Sequence, residues 1–204
     1  MLSAIQNNFQ TRQRGMTVRH TVIGSPRRAE AENYIADIFR SHYKAEVSSF
    51  SPNLMLVESG DRIAAAAGWR CAADEPLFLE TYLDTPIEQA ISKLAGRPVE
   101  RSKIVEVGNL AADRRGGSID VILTLAAHLD RLGFEWVVFT ATNDLISIFR
   151  RLGLPPLALA PADPERLGDE ATAWGSYYST NPIVVAGRIR LALDKSAQKV
   201  SSRG

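Results

Sequence analysis

The sequence predicts an α/β (α+β) fold, a sheet flanked by helices, and three observations predict it. Two β-type runs, Leu54 to Ser59 and Arg62 to Ala72, are joined by the tight turn Ser59-Gly60-Asp61-Arg62 and so form an antiparallel hairpin. From Ile104 to Ala141 a strand, a glycine-containing loop, a helix and a second strand follow one another, which makes the first of these strands central and covered. Over 204 residues the chain is 45% hydrophobic and 23% charged, with 14 Gly and 10 Pro, the usage of a globular protein with a sizeable core. That composition excludes collagen-like, mucin-like and largely disordered chains.

The elements follow in order. Residues 1–17 are polar, rich in Gln, Asn and Arg, and read as a flexible tail before one domain spanning 18–194. A short strand, Arg19 to Ile23, precedes Ser25-Pro26, an N-cap residue with proline in the first turn. Apolar positions Ala31, Tyr34, Ile35, Ile38 and Phe39 then mark an amphipathic helix, and the hairpin and a short helix from Ile87 to Leu94 come next. The strand Ile104 to Ala111 ends in the loop Asp113-Arg114-Arg115-Gly116-Gly117. After it Ile119, Ile122, Leu123, Ala126 and Leu129 mark a helix that Gly133 closes. Strand Trp136 to Ala141 leads into a helix carrying Leu145, Ile148, Phe149 and Leu152. A proline-rich connection (PPLALAPADP), a last strand from Ile183 to Arg188 and a flexible tail at 195–204 complete the chain.

Charge and cysteine content narrow the function. Twenty-four Lys and Arg against 23 Asp and Glu leave a net charge of +1, so no global field draws nucleic acid or an anionic membrane. A single cysteine, Cys71, forms no intrachain disulfide and has no cysteine partner for a zinc site; no metal is expected. The polar N-terminal segment lacks the apolar block of a signal peptide, and no window reaches the ~18–20 apolar residues of a membrane span. The expected location is the cytoplasm.

Glu106 is the most conspicuous candidate, because it interrupts an apolar strand. A buried carboxylate must be paired, solvated by a cleft or raised in pKa. Two readings stand: a structural ion pair with Arg101 or Lys103, or a general base in a cleft. The Arg114-Arg115-Gly116-Gly117 loop sets two cations at a helix N-terminus, where an anion such as phosphate would neutralise them; a solvated surface loop is the other reading. His20, His42 and His128 lack metal-ligand spacing, and His42 and His128 read as helix-surface or core-edge residues. The aromatic segments FLETYL (Glu80, Tyr82) and WGSYYSTNP (Trp174, Tyr177, Tyr178) read first as core packing and second as substrate contacts.

The order of elements, with its glycine-containing anion loop, resembles the GNAT acyltransferase superfamily. That resemblance implies a mixed, splayed central sheet with an acyl thioester lying between the parallel strands Ile104–Ala111 and Trp136–Ala141. Arg114 and Gly117 match the superfamily's loop pattern, Ile119 takes its last small position, and Phe149 stands where many members have a tyrosine acid. Ala67-Gly68-Trp69-Arg70, Glu75-Pro76-Leu77-Phe78-Leu79-Glu80 and Glu106-Val107-Gly108-Asn109-Leu110 are similar in order and spacing to the acyl-homoserine-lactone synthases. Ser48, Ser49 and Ser51 replace the acidic residues that hold S-adenosylmethionine there. Most of the chain, from about Arg27 to Arg188, resembles the thermostable hemolysin family through FLETYLD, IVEVGNLA, WVVFTAT, RLGL, LAPADPERL and WGSYY.

These resemblances imply an N-acyltransferase with no permanently bound cofactor. Its donor would be acyl-CoA or the 4'-phosphopantetheine of an acyl carrier protein, and its acceptor an amine or amino acid. Glu106 would be the base, and Gly108 and Asn109 would distort the strand to offer an oxyanion-binding N–H. Arg114, Arg115, Gly116 and Gly117 would hold the donor's phosphate, with Leu110, Thr140 and Asn143 completing the donor side. Trp69, Arg70 and Glu80 are the acceptor candidates, Arg70 for a carboxylate and Glu80 for an ammonium group. The rival expectation is a membrane-lytic protein without enzymatic activity.

Overall fold

The computed structural model describes residues 16–112 and 117–201. Among the described residues seven strands form one sheet in the order β1-β2-β3-β4-β5-β7-β6. They are β1 (Met16–Val22), β2 (Asn53–Ser59), β3 (Arg62–Cys71), β4 (Ile104–Ala112), β5 (Trp136–Ala141), β6 (Leu157–Pro161) and β7 (Ile183–Arg188). Neighbours are antiparallel except β4 and β5, which run parallel. The helices are α1 (Arg28–Tyr43), α2 (Ile87–Ala95), α3 (Gly117–Arg131), α4 (Asn143–Arg151) and α5 (Ile189–Ser201).

The two-residue period of the strands divides the core between the faces of the sheet. On one face Ala31, Ile35 and Phe39, one stripe of α1, pack on Leu54, Leu56, Ala66 and Ala111, and α2 adds Ile87 and Ile91 against Ile104 and Val138. On the other face Val121, Leu125 and Leu129 of α3 cover Met55, Ala65, Ala67 and Val105. The alanines of β3 are small enough to let α1 and α3 approach the sheet from opposite sides. Buried Arg28 ties the start of α1 to the start of β2, donating to the Ser51 carbonyl (2.7 Å) and the Pro52 carbonyl (2.9 Å).

Two irregularities of β4 open the sheet beside Glu106. Its parallel ladder with β5 consists of Ile104↔Trp136, Val105↔Val137 and Glu106↔Val138 and then stops, so the strands part beyond Glu106. Against β3, Ala66 pairs with Ala111 and Gly68 with Gly108, so Asn109 and Leu110 both lie opposite Ala67. This is a β-bulge, and Asn109 sits in it with φ 51°.

Several boundaries differ from the sequence reading. The PPLALAPADP connection contains β6, an edge strand paired with β7; an edge tolerates the flanking prolines because its outer N–H groups need no partner. Residues 195–201 continue α5 instead of beginning a tail at 195, because the segment carries good helix formers and Leu193 packs against the α3 cluster. β1 starts at Met16, two residues before the expected edge of the domain. Ser25 is not the N-cap of α1: its carbonyl closes a turn onto the Arg28 N–H (3.0 Å), and the helix starts at Arg28.

Candidate active site

Where β4 and β5 part, a cavity of about 380 Å³ opens on the α1 face. Glu106 and Arg70, neighbours across the β3–β4 ladder, both line it. The Phe78 N–H donates to Glu106 Oε2 (2.8 Å) and the Leu79 N–H to Oε1 (3.0 Å), so this carboxylate holds the first residues of the 3-10 turn Phe78–Tyr82. Burial pushes the Glu106 carboxyl above the usual carboxylate range, and the Arg70 charge and the two N–H groups offset only part of that push. Arg70 Nε lies 3.4 Å from Glu106 Oε2 yet makes no hydrogen bond, and Nη1 is 3.8 Å from Glu75. A guanidinium with its side chain only 16% exposed thus keeps donors in reserve for an anion.

The expected ion-pair partners of Glu106 are engaged elsewhere. Arg101 makes a two-pronged pair with Glu80 (2.7 and 2.9 Å) and also bonds Glu88 (2.7 Å), while Lys103 Nζ reaches the Gly133 carbonyl. Both precede β4 in a 3-10 turn, whereas Arg70 is the residue that the register sets opposite Glu106. Glu80, expected on the acceptor side, also accepts the Leu77 and Ile87 N–H groups, each at 2.9 Å. Arg101 first, with these N–H groups, holds its carboxyl down at about 2. Its oxygens are spent on joining the Phe78 turn to α2, so an acceptor ammonium role is corrected to a structural one. Trp69 is corrected as well: it faces α3 and packs against Phe134 and His128, because residues adjacent on a strand point to opposite faces.

The remaining walls come from several elements. Gly108, Asn109 and Leu110 of β4 and Thr140 of β5 line the cavity. Asn143 does not; it is exposed on the first turn of α4, and its neighbours Thr142 and Asp144 line the cavity in its place. Thr142 caps α4 by accepting the Leu145 N–H. Gly117 opens α3, while Arg114, Arg115 and Gly116 lie outside the described residues. The two aromatic segments meet in one wall: Phe78 stacks near Trp174 (5.8 Å between ring centres), and the Tyr82 and Tyr178 hydroxyls are 2.5 Å apart. Burial raises both tyrosines above their ordinary pKa. Phe39 and Tyr43 of α1 extend the wall through Tyr177. The sequence offered Phe39 only as part of an apolar stripe and did not single out Tyr43, with no sign that this end of α1 faces a cavity.

A mixed sheet whose two parallel central strands part beside a bulge defines a GNAT-like fold. Solved structures share it. The acyl-homoserine-lactone synthase LasI is 14% identical, with a TM-score of 0.59 over 87% of this chain and 94% of its own. The CoA-dependent acyl-homoserine lactone synthase BjaI is 15% identical, with a TM-score of 0.60 over 92% and 90%. FeeM, an N-acyl amino acid synthase from uncultured soil microbes, is 11% identical, with a TM-score of 0.54 over 85% and 89%. The chain belongs to the thermostable hemolysin family, whose sequence profile matches residues 22–193. No curated protein matches it in sequence.

Proposed function

We propose that the protein is an N-acyltransferase that moves an acyl group from a thioester, on coenzyme A or an acyl carrier protein, to the amine of an amino acid. The observation that carries this reading is the Arg70–Glu106 pair on the wall of the cavity at the β4–β5 gap: a cation with spare donors beside a carboxylate of raised proton affinity. Arg70 holds the acceptor's carboxylate, and Glu106, directly or through one water, takes the proton of the attacking amine. Beyond Glu106 the β5-facing edge of β4 has no strand partner, which leaves backbone groups for the thioester arm. An N–H of β4 at Gly108–Asn109, where the Asn109–Leu110 bulge begins, meets the thioester oxygen as the nitrogen adds to the carbonyl carbon, a contact worth ~2.7–4 kcal/mol. The C–S bond then breaks, the thiolate leaves and is protonated, and the amide is released.

Leu110 and Thr140 flank the acyl end of the donor. Arg114, Arg115 and the amides of Gly116 and Gly117 hold its phosphate at the start of α3. The names of BjaI, a CoA-dependent synthase, and FeeM, an N-acyl amino acid synthase, support both halves of the reaction. The reading sets the enzyme in the cytoplasm, where its donors are made. Incubating the protein with acyl-CoA or acylated carrier protein, a thiol reagent and a panel of amino acids tests it. The expected result is thiol release that requires an amino acid; no such release with either donor overturns the reading.

A further inference from the structure

Asn109 occupies the left-handed region at φ 51°, a conformation that costs most side chains energy and that Asn tolerates through local hydrogen bonds. Here the bond is not local. The Ser51 N–H donates to Asn109 Oδ1 at 2.9 Å, and Asn109 Nδ2 leans towards the Ser49 carbonyl at 3.4 Å, 58 and 60 residues away in sequence. Ser51 is 2% exposed, and its carbonyl is fixed from the other side by Arg28 at 2.7 Å. To reach β4, the segment before β2 must cross β3, and it does so at Gly68. A Cβ there would lie 2.8 Å from the Ser51 Cβ and Oγ and 3.0 Å from Asn109 Oδ1, closer than van der Waals contact allows.

We infer that Arg28, Ser51 and Asn109, closing over Gly68, form a latch that holds the β4 bulge in a single backbone conformation. This makes Ser51, Gly68 and the side chain of Asn109 positioning residues for the oxyanion-binding N–H. The inference rests on the acyl-transfer reading for its catalytic consequence, but not for the latch itself. The bulge lies on the open side of β4, where β5 no longer pairs, so no parallel ladder restrains it there. The latch replaces that restraint from the opposite neighbour. It also gives Ser51, which lines the cavity, a role that needs no contact with a substrate.

The test compares Asn109→Gly, Asn109→Asp and Gly68→Ala with the wild-type full-length protein, in turnover and in amide exchange of residues 108–110. Asn109→Gly relieves the left-handed cost and removes the latch. Its thermal midpoint should hold or rise, and the acyl-donor KM should stay within ~2-fold, while turnover at saturation falls ~10- to 100-fold. Exchange at the bulge should quicken ~10-fold or more. Asn109→Asp keeps the oxygen that accepts the Ser51 N–H and should recover part of both losses, whereas Gly68→Ala should resemble Asn109→Gly. Should Gly68→Ala fail to fold, the Asn109 pair decides. Unchanged turnover and unchanged exchange in Asn109→Gly overturn the latch. A wild-type protein that transfers nothing overturns the functional reading alone, and bulge exchange still decides the latch.

Discussion

Arg70 and Glu106 stand opposite each other in the β3–β4 ladder, and their nearest atoms, 3.4 Å apart, do not share a hydrogen bond. Each carboxylate oxygen accepts one backbone N–H, from Phe78 or Leu79, and keeps a further lone pair, while the guanidinium keeps donors for something else. A tight two-pronged pair, like Arg101 with Glu80, would consume both partners. The looseness of the Arg70 pair is what leaves two useful groups on one cavity wall.

Glu106→Gln should keep the fold and lower turnover by ~10² or more, because the amide fills the same space and removes the base. One of the two N–H groups on the carboxylate would lose its acceptor, a cost of ~1–3 kcal/mol, while relief of a buried charge opposes that cost. The wild-type rate should rise with pH through a value above the usual carboxylate range, since Glu106 works only when ionised and burial favours its protonated form. Steady-state rates against pH, alongside the thermal midpoint, check this. An unfolded variant or unaltered turnover assigns Glu106 to structure alone.

Arg70→Gln should raise the KM for an amino acid ~10-fold or more and leave the donor KM unchanged. A simple amine without a carboxylate should be used equally well, and poorly, by both proteins. Equal amino acid KM values in wild type and variant would show that the guanidinium serves only to balance Glu106.

How far the sequence led depended on whether a residue's role was set locally or by register. The hairpin, the β4 strand and the interruption by Glu106 all follow from apolar runs and turn residues within a few positions of one another. The Arg70–Glu106 pairing does not, because it depends on the register of two strands separated by a long connection and offset by a bulge. Alternation alone does separate Arg70 from Trp69, and applying it to the acceptor candidates excludes the tryptophan. Glu80 deceived for another reason: its partner Arg101 is 21 residues away, joined to it only when the Phe78 turn packs beside α2. β6 was hidden by prolines that only an edge strand accommodates.

His20 and His128 stack with ring centres 4.0 Å apart on the α3 face, away from the cavity, with Trp69 beside them. Desolvation first, then the charges of His20 and Arg131, lower the His128 imidazole to about 4, and desolvation and Arg131 lower His20 too. A histidine whose folded pKa lies below its unfolded value of 6.5 binds protons more readily in the unfolded chain. Its stabilisation is therefore complete above about pH 6.5 and is lost as pH falls towards about 4. The thermal midpoint should drop between pH 7 and pH 5, and His128→Phe, which keeps a ring against His20, should reduce that drop. An equal drop in both proteins would place the sensitivity elsewhere.

The family's name records lysis of cells, and acyl transfer offers a chemical route to it. Among the described residues no helix is long and apolar enough to cross a membrane. An N-acylated amino acid, by contrast, carries a charged head and a chain whose every methylene adds ~0.8 kcal/mol of membrane affinity, so a long-chain product behaves as a detergent. Haemolysis by this protein should therefore be indirect. Purified protein without donor should leave liposomes and red cells intact, and an organic extract of cells expressing it should lyse them. The same extract from cells expressing Glu106→Gln should be far less lytic, because the variant folds but makes the amphiphile ~10²-fold or more slowly. Lysis by homogeneous protein without donor, undiminished by Glu106→Gln, would place the lytic activity in the protein itself and remove the product from the explanation.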